Sequence, residues 1–299
     1  MLSLKASTLT QYKRRLDHFW KIHLKNGPID QTRYSDILEA LGKGAWSSGK
    51  SRNNELSMIR GMFEFAKRDG LLKANPCDDV ERASWQRPPP DPFALKEVHI
   101  MLDFIKKNYS EQVANFTQFM FFTGLRTNEG IGLKWGDVDF VHNEIKVEGG
   151  IVYDEETATT KTHKARKVRL NSAALEALTK QKSFTFLAGG HIFHDPKTGK
   201  TWAYQKITDT RTFWARTIKQ TGLRYRRPYN MRHTYATIGL MAGANPAYLA
   251  KQLGHSVKVF FDIYADWIDG ADNDREMQKI EASLHGNIPE LSPERSGQR

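Results

Sequence analysis

The chain has 299 residues, of which 45 are Lys or Arg and 34 are Asp or Glu, so its formal net charge is +11. This length is typical of two domains, and 39% hydrophobic and 26% charged residues exclude a disordered or fibrous chain. The single cysteine, Cys77, excludes a disulfide framework and a cysteine-based zinc finger, and no apolar run approaches the roughly 20 residues of a membrane helix.

The first ninety residues are predicted to form a helical unit. Apolar residues at steps of three and four predict amphipathic helices around residues 9–23, 34–41 and 56–66, the last of which ends near Gly70. Residues 87–92 include four prolines, which cannot continue a helix and favour a stiff, extended connector. We therefore expect one domain over residues 1–87 and a proline-rich linker over residues 88–92.

The rest of the chain predicts a second domain, over residues 93–285, that is mainly helical. Periodic patterns predict helices at residues 93–107, 113–122, 173–187, 204–221, 230–241, 246–253 and beyond 257. Alternating patterns at residues 143–148 and 167–170 predict two strands. The expected fold class is therefore mainly α with a small antiparallel β-sheet (α+β), followed by a disordered tail over residues 286–299.

The positive charge is concentrated in one part of the chain. Residues 1–92 carry 16 basic and 11 acidic side chains, residues 93–261 carry 25 and 14, and residues 262–299 carry 4 and 9. The middle segment therefore has a net charge of +11, which indicates a polyanionic partner, most often nucleic acid. The acidic last segment is not expected to face that partner.

One motif suggests nucleotide binding but lacks the context that this function requires. Residues 44–51, Gly-Ala-Trp-Ser-Ser-Gly-Lys-Ser, match the phosphate-binding loop of nucleotide hydrolases. That loop lies between a buried strand and a helix, whereas residues 34–41 have the pattern of an amphipathic helix. We therefore expect a turn that caps the helix starting near Ser51.

Two basic segments in the second domain are candidates for contact with phosphate. Arg126 follows a predicted helix end, and Glu129 either orients its guanidinium or forms an ordinary surface ion pair with it. Lys161, Lys164 and Arg166 lie in a loop without acidic residues, which suits either contact with a nucleic-acid backbone or a solvated turn.

A cluster of arginines surrounds the start of the helix predicted from residue 230. It consists of Arg224, Arg226, Arg227 and Arg232. A helix start already carries a partial positive charge, so such clustering is unfavourable unless an anion binds there. Among the features that the residues give on their own, this conflict is the strongest indication of a phosphate site.

The last candidates follow this helix. A Leu-Gly-His-Ser segment at residues 253–256 ends a helix and presents His255, and Tyr264 follows nine residues later. Taken alone, Tyr264 is one of ten tyrosines and has the pattern of a packed residue. His191 and His194 have neither cysteines nor a carboxylate cluster nearby, so they predict no metal site.

Together these segments resemble the tyrosine recombinase (phage integrase) family. That family has an Arg in a Thr-Gly-Leu-Arg-x-x-Glu segment, a Lys in a β-hairpin, a His-x-x-Arg-His segment and a Leu-Gly-His segment, with a nucleophilic Tyr about nine residues after the last His. This sequence contains, in the same order, Arg126 with Glu129, Lys161, Arg232 with His233, His255 and Tyr264. The resemblance covers about residues 93–270 and implies a recombinase catalytic domain there, with the family's DNA-binding, core-binding domain at residues 1–87.

One position departs from the family pattern. Three residues before Arg232, where the family usually has a histidine, this chain has Tyr229. A phenol can donate a hydrogen bond, but it is a poor base near neutral pH. The general base is therefore left open between Tyr229, His255 and a water molecule.

The resemblance implies that DNA is cleaved by transesterification. Tyr264 would attack the scissile phosphate to give a 3′-phosphotyrosyl link, and Lys161 would protonate the leaving 5′-oxygen. Arg126, Arg232 and His255 would bind the phosphate, so neither a metal nor another cofactor is expected. Further basic residues are expected to contact DNA, namely Lys164, Arg166, Arg224, Arg226 and Arg227.

The resemblance also implies the partners and the location of the chain. They are double-stranded DNA, a homotetramer on paired DNA sites and, as a further possibility, accessory DNA-bending proteins. No membrane partner is expected, the first residues lack the pattern of a secretory signal, and the expected location is the cytoplasm, in association with DNA. Many integrases carry a further N-terminal domain for arm-type sites, whereas this chain begins almost at the core-binding helices.

The leading interpretation is a site-specific recombinase, such as the integrase of a phage or another mobile element, and two alternatives are left open. A type IB topoisomerase-like enzyme would share the chemistry but relax DNA without exchanging partners. A non-catalytic DNA-binding regulator on the same fold would not need Tyr264 and Lys161 together.

Overall fold

The chain folds into two compact units, Met1–Pro88 and Pro89–Arg299. The computed structural model describes residues 6–152, 155–157, 165–208, 212–267 and 273–284. Each unit has a hydrophobic core of its own, because each brings enough apolar helix faces to bury one. No helix in these ranges is both long enough and apolar enough to cross a membrane.

All the regular elements that the structure describes in the N-terminal unit are helical. Its segments are α1 (Ala6–Arg15), a π-helical turn (Leu16–Trp20), α2 (Lys21–His23), a 3-10 turn (Ile29–Gln31), α3 (Tyr34–Gly42) and α4 (Gly49–Arg68). The first predicted helix is thus interrupted by the π turn, and the other two are confirmed. The core is formed by buried side chains such as Trp20, Ile37, Leu56 and Phe63.

The segment that matches a phosphate-binding loop is a helix cap. The Ser48 hydroxyl accepts a hydrogen bond from the amide of Ser51 at 3.2 Å, and the Ser51 hydroxyl accepts one from the amide of Ser48 at 3.2 Å. This reciprocal pair satisfies amides at the start of α4 that have no helical partner. The element before it is the helix α3 rather than a strand, so the predicted turn is confirmed.

The C-terminal unit is mainly helical. Its described helices are α5 (Leu95–Asn108), α6 (Glu111–Thr123), α7 (Thr127–Gly132), α8 (Ser172–Thr185), α9 (Tyr204–Thr208), α10 (Phe213–Gln220), α11 (Asn230–Met241), α12 (Pro246–Leu253), α13 (Val257–Tyr264) and α14 (Asn273–Leu284). Short 3-10 turns lie at Trp135–Asp137 and Ala265–Trp267. The single helix predicted over residues 204–221 is therefore two helices, α9 and α10.

The described residues of this unit also include five short strands. They are β1 (Val138–Asp139), β2 (Glu144–Val147), β3 (Gly150–Val152), β4 (Glu155–Thr157) and β5 (Arg166–Arg169). The antiparallel order is β1-β2-β5, with Ile145 opposite Val168 and both side chains buried against the core. β3 and β4 form a separate antiparallel pair, which the sequence does not predict because its acidic residues interrupt the alternation. The expected fold class is confirmed.

Helix α6 is the centre of the C-terminal unit. Ten of its thirteen residues are buried, so it is enclosed on nearly every side and not only along one stripe. It packs against α5, α8 and α11, and buried aromatic rings such as Phe116, Phe119 and Phe121 fill the space around it. A helix held this firmly gives a rigid support to the residues that follow its C-terminal end.

Candidate active site

Arg126 is placed by the tight turn at the end of α6. Gly124 ends the helix with a left-handed backbone, at φ +63°, and α7 begins three residues later. A Cβ at position 124 would lie 2.6 Å from an atom of the Tyr235 ring and 2.7 Å from one of Leu253. Glycine is therefore needed both for the backbone conformation and for space, and the turn brings Arg126 to the N-terminus of α7.

Glu129, in the first turn of α7, binds two arginines. It accepts hydrogen bonds from Arg126 Nη1 at 2.8 Å and from the Arg126 amide at 3.0 Å, and Arg166 donates to both of its oxygens, at 3.0 and 2.7 Å. Burial alone would raise the pKa of Glu129, but the Arg166 hydrogen bonds and the two guanidinium charges lower it to about 2. The carboxylate is ionised at neutral pH, and the geometry favours an orienting role over that of an exposed ion pair.

Arg166 is held by internal contacts. Besides its bonds to Glu129, its Nε donates to the carbonyl of Gln252 at 2.9 Å, and its side chain is 8% exposed. These bonds join β5 to α12, the helix that leads to His255. The expectation that Arg166 contacts DNA has no support in this geometry, because the guanidinium is already bonded within the protein.

Arg232 enters the site from α11 and is 1% exposed. Its Nη1 donates to the carbonyl of Gly124 at 2.9 Å, and its Nη2 donates to the carbonyl of Leu253 and, at 2.9 Å, to Nε2 of His255. Burial is the main cause, and the charge of Arg126 the second, that lowers the pKa of Arg232 to about 10. The side chain therefore stays cationic at neutral pH. Its Nε has no hydrogen-bond partner among the described residues, which leaves one buried donor unsatisfied.

His255 follows the end of α12, after Gly254, whose φ is +66°. Because a guanidinium can only donate, Nε2 of His255 accepts from Arg232, and the proton of the neutral ring is on Nδ1. Burial and then the charges of Arg232 and Arg126 lower the pKa of His255 to about 3. Its Nδ1 has no partner in the part of the chain that the structure describes. His255 is thus a neutral hydrogen-bond donor.

Tyr264, the last residue of α13, lies beside the same histidine. Its ring stacks on His255 with centroids 6.4 Å apart and planes at 24°, and its Oη lies 2.8 Å from Nδ1 of His233. The side chain of Tyr264 is 0% exposed and that of His233 is 8% exposed. Tyr229, which directly precedes α11, is exposed, and its ring packs edge-on against that of His233 with the ring centroids 5.1 Å apart.

The arginines before α11 lie in different environments. Arg224 and Arg226 both bind the carboxylate of Asp91, and Arg226 also binds Glu97 at 3.0 Å. Arg226 is buried, whereas Arg227 is exposed. Two carboxylates thus relieve part of the positive charge that the sequence places here, and the expected DNA contact of Arg226 has no support in its buried position.

The remaining predicted residues, Lys161 and Lys164, lie outside the described residues. The strand that follows them, β5, is tied into the site through Arg166. Sequence reasoning missed the roles of Asp91 and Gln252 in fixing this neighbourhood, since neither belongs to a motif. It also missed the contact between His233 and Tyr264, although both residues belong to family segments.

The site as a whole combines two buried or half-buried guanidiniums, a neutral imidazole donor and a phenol in hydrogen-bond contact with a second imidazole. Such groups can bind the two non-bridging oxygens of one phosphate and place a nucleophile beside it. Within the described ranges, no group of three His, Cys, Asp or Glu side chains is arranged to hold a metal ion.

Solved structures with a similar fold include DNA-bound integrases. The Tn1549 transposon integrase in complex with a circular intermediate DNA has a TM-score of 0.72 and 20% identity, over 94% of this chain and 95% of that chain. A lambda integrase dimer bound to a COC′ core site has a TM-score of 0.68 and 17% identity, over 86% and 91% of the two chains. At these identities the likeness concerns the fold.

Sequence comparison gives the family. The prophage integrase IntR of Escherichia coli K12 is 28% identical over 94% of this chain and 76% of its own length, and the tyrosine recombinase XerD of Staphylococcus epidermidis is 26% identical over 85% of each. The model of the phage integrase family matches residues 93–269, which is more than half of the chain and includes every described residue of the site. The chain therefore belongs to the phage integrase family, whose members are site-specific DNA recombinases of the tyrosine type.

Proposed function

We propose that this recombinase cuts and rejoins double-stranded DNA through a covalent bond between Tyr264 and a 3′-phosphate. The observation that carries the proposal is the meeting of Arg126, Arg232, His255 and Tyr264, which come from four separate segments of the chain. Their side chains supply what one phosphodiester needs for attack, namely positive charge, a neutral hydrogen-bond donor and a nucleophile.

The phosphate is proposed to bind against the two guanidiniums. Arg232 has an unsatisfied Nε and Arg126 bonds to Glu129 through only one of its Nη atoms, so both keep donors for non-bridging oxygens. Nδ1 of His255 provides one further donor. Because these donors are held by the carbonyls of Gly124 and Leu253 and by Glu129, they need little rearrangement when charge develops in the transition state.

In the proposed cleavage step Tyr264 Oη forms a bond to phosphorus as the bond from phosphorus to the 5′-oxygen breaks. Lys161 is proposed to give its proton to that leaving oxygen, so that a free 5′-hydroxyl is released. The phosphotyrosyl ester keeps the energy of the broken bond, and the 5′-hydroxyl of a second duplex can then reverse the step on a new partner. Neither a metal nor another cofactor is part of this proposal.

DNA binding is proposed to involve basic residues outside the phosphate site. Arg227 is exposed, and Arg224 is exposed although both of its Nη atoms bind Asp91. Lys164 belongs to the same basic segment as Lys161. These three residues are the candidates for backbone contacts. A lambda integrase tetramer has been solved on a Holliday junction, which supports a homotetramer of this chain on paired sites. Accessory DNA-bending proteins and a cytoplasmic, DNA-associated location complete the proposal.

The test is capture of the covalent intermediate. A pool of duplexes with a randomised core and scattered nicks traps the enzyme on cleaved strands, and adducts that survive denaturation are sequenced to define a site. The wild type is expected to form an adduct on the selected duplex, and Tyr264→Phe is expected to form none while still binding it. Tyr225→Phe, which changes an exposed tyrosine near the site in sequence, is the matched control.

Three outcomes would contradict the proposal. An adduct formed by Tyr264→Phe would show that another residue is the nucleophile. Binding without any adduct from the wild type would indicate a regulator. Relaxation of supercoiled DNA without exchange between two labelled duplexes that carry the selected site would indicate a topoisomerase.

A further inference from the structure

The nucleophile needs a proton acceptor within the protein. A phenol ionises only near pH 10, so at neutral pH the attack of Tyr264 on phosphorus is slow unless its proton is removed. The side chain of Tyr264 is 0% exposed, and bulk water therefore does not reach its Oη. The acceptor should be a side chain that already touches this oxygen.

Two of the expected candidates do not meet this requirement. Nε2 of His255 already accepts a hydrogen bond from Arg232, its Nδ1 carries the proton, and the pKa of His255 is lowered to about 3 by burial and by Arg232. Tyr229 is a phenol itself, and its ring packs against His233. Neither side chain is placed or poised to take the proton from Tyr264.

We propose that His233 is the general base that accepts the proton of Tyr264 during cleavage and returns it during rejoining. Its Nδ1 lies 2.8 Å from Tyr264 Oη, and both side chains are buried, so the contact is fixed by packing from α11 and α13. His233 follows Arg232 directly in α11, so one helix supplies both a phosphate-binding cation and the base. The inference rests on the proposed role of Tyr264 as the nucleophile.

The step balances without a further reactant. The pair of electrons on Tyr264 Oη forms the bond to phosphorus, and its proton passes to Nδ1 of His233, which is then an imidazolium. The electrons of the broken bond stay on the 5′-oxygen, which takes a proton from Lys161. Rejoining reverses both transfers, so the enzyme ends in the protonation state in which it began.

The groups described around His233 come from its own helix and from the elements packed against it. Tyr229, directly before α11, lies against the ring of His233, His255 at the end of α12 is neutral, and Tyr264 comes from α13. The 3-10 turn after α13 also packs against α11, and its acidic residue, Asp266, is exposed. α6 contributes no charged side chain to its contact with α11, because its one charged residue, Glu111, lies at its other end and is exposed.

The test is the pH profile of cleavage by His233→Gln on the selected suicide duplex. In the wild type we expect the rate to rise with pH and then level off once His233 is deprotonated. In His233→Gln the amide can still bond to Tyr264 but cannot take its proton. We expect a rate about 100-fold lower at pH 7, and one that keeps rising with pH because only the free phenolate reacts. Circular dichroism and binding of the duplex show whether the variant is folded.

A more acidic nucleophile gives the second measurement. Replacing Tyr264 by a fluorinated tyrosine makes the phenol more acidic and so lowers the need for a base. The replacement should raise the cleavage rate of His233→Gln, and this rise should be about tenfold larger than the change that it causes when His233 is present. A residue that only packs would show no such rescue. His233→Asn serves as the second variant if His233→Gln does not fold.

Four results would overturn the inference. The first is an unchanged cleavage rate and pH profile in the His233 variants, and the second is a lower rate with an unchanged profile and no rescue by fluorinated tyrosine. The third is a faster rate of these variants at every pH. The fourth is a pH profile that loses its plateau in Tyr229→Phe but not in His233→Gln. A faster rate would mean that the contact restrains Tyr264. Absence of any wild-type adduct contradicts the proposed function itself, so the two failures are distinguishable.

Discussion

At residue scale, one carboxylate holds the site together. Glu129 is 5% exposed and is shared by Arg126 and Arg166, so a buried negative charge compensates two positive ones. Without it, both guanidiniums would repel each other and the nearby Arg232. The family motif contains this glutamate, and its partner Arg166 lies 37 positions later, so the sequence alone predicts half of the arrangement.

Glu129→Gln is expected to destabilise the protein by about 3 kcal/mol at pH 7, because breaking a buried charge pair leaves uncompensated charge. The pKa of Glu129 is lowered in the folded protein to about 2 from 4.5. The stabilisation is therefore complete above pH 4.5 and is lost as the pH falls towards 2. Urea unfolding of both proteins at several pH values measures this, and the difference between them should shrink below pH 4.5.

Glu176→Gln is the matched control for this experiment. Glu176 is half-exposed and pairs with Lys180 on one surface of α8. Its substitution is expected to cost less than about 1 kcal/mol. Equal effects of the two substitutions would contradict the role assigned to Glu129.

At element scale, the turn between α6 and α7 decides where the site lies. α6 is buried on nearly every side, and the turn at Gly124 both directs the chain to Arg126 and supplies the carbonyl that binds Arg232. One glycine thus links the two guanidiniums that are proposed to hold the phosphate.

Gly124→Ala is expected to destabilise the protein by more than about 2 kcal/mol, because left-handed strain of about 1 kcal/mol adds to overlap with Tyr235 and Leu253. Gly222→Ala has a similar φ of +68° but no atom within 4 Å of the added carbon, so only the strain of about 1 kcal/mol is expected. Chemical denaturation measures both, and cleavage should fall in Gly124→Ala alone. A Gly222→Ala variant that is as unstable as Gly124→Ala would refute the packing argument.

Local signals account for the elements that the sequence predicts well. The boundaries of α11 and α12 agree with the prediction, and Asn245, Pro246 and Gly254 mark the ends of α12 through capping preferences that act within a few residues. The π turn and the β3–β4 pair carry no such signal. The pairings of Arg226 with Asp91 and of His233 with Tyr264 join residues 135 and 31 positions apart, so tertiary packing decides them.

At the scale of the whole molecule, the single cysteine lies in the core of the N-terminal unit. Cys77 is buried among the same apolar side chains as Leu56 and Phe63, and burial raises the pKa of its thiol to about 12. Since the thiolate is the reactive form, the native protein should be inert to thiol reagents. Reaction of Cys77 therefore reports opening of the N-terminal unit specifically.

Leu56→Ala is expected to remove about 3 kcal/mol from the stability of this unit, because it leaves a cavity at a fully buried position. Labelling of Cys77 by a chromogenic disulfide should then be about 100-fold faster. Leu9→Ala changes a leucine that is 54% exposed and should leave the rate within about threefold of the wild type. Rapid labelling of the wild type would contradict the protection inferred for Cys77.

The burial of Tyr264 has a consequence for the cut strand. A phenol that water does not reach lies in a pocket from which water would also be kept from an ester on the same oxygen. The covalent link would then persist until a 5′-hydroxyl arrives, and hydrolysis, which would leave a permanent break in the DNA, would be suppressed. The packing that makes a base necessary thus also protects the integrity of the DNA.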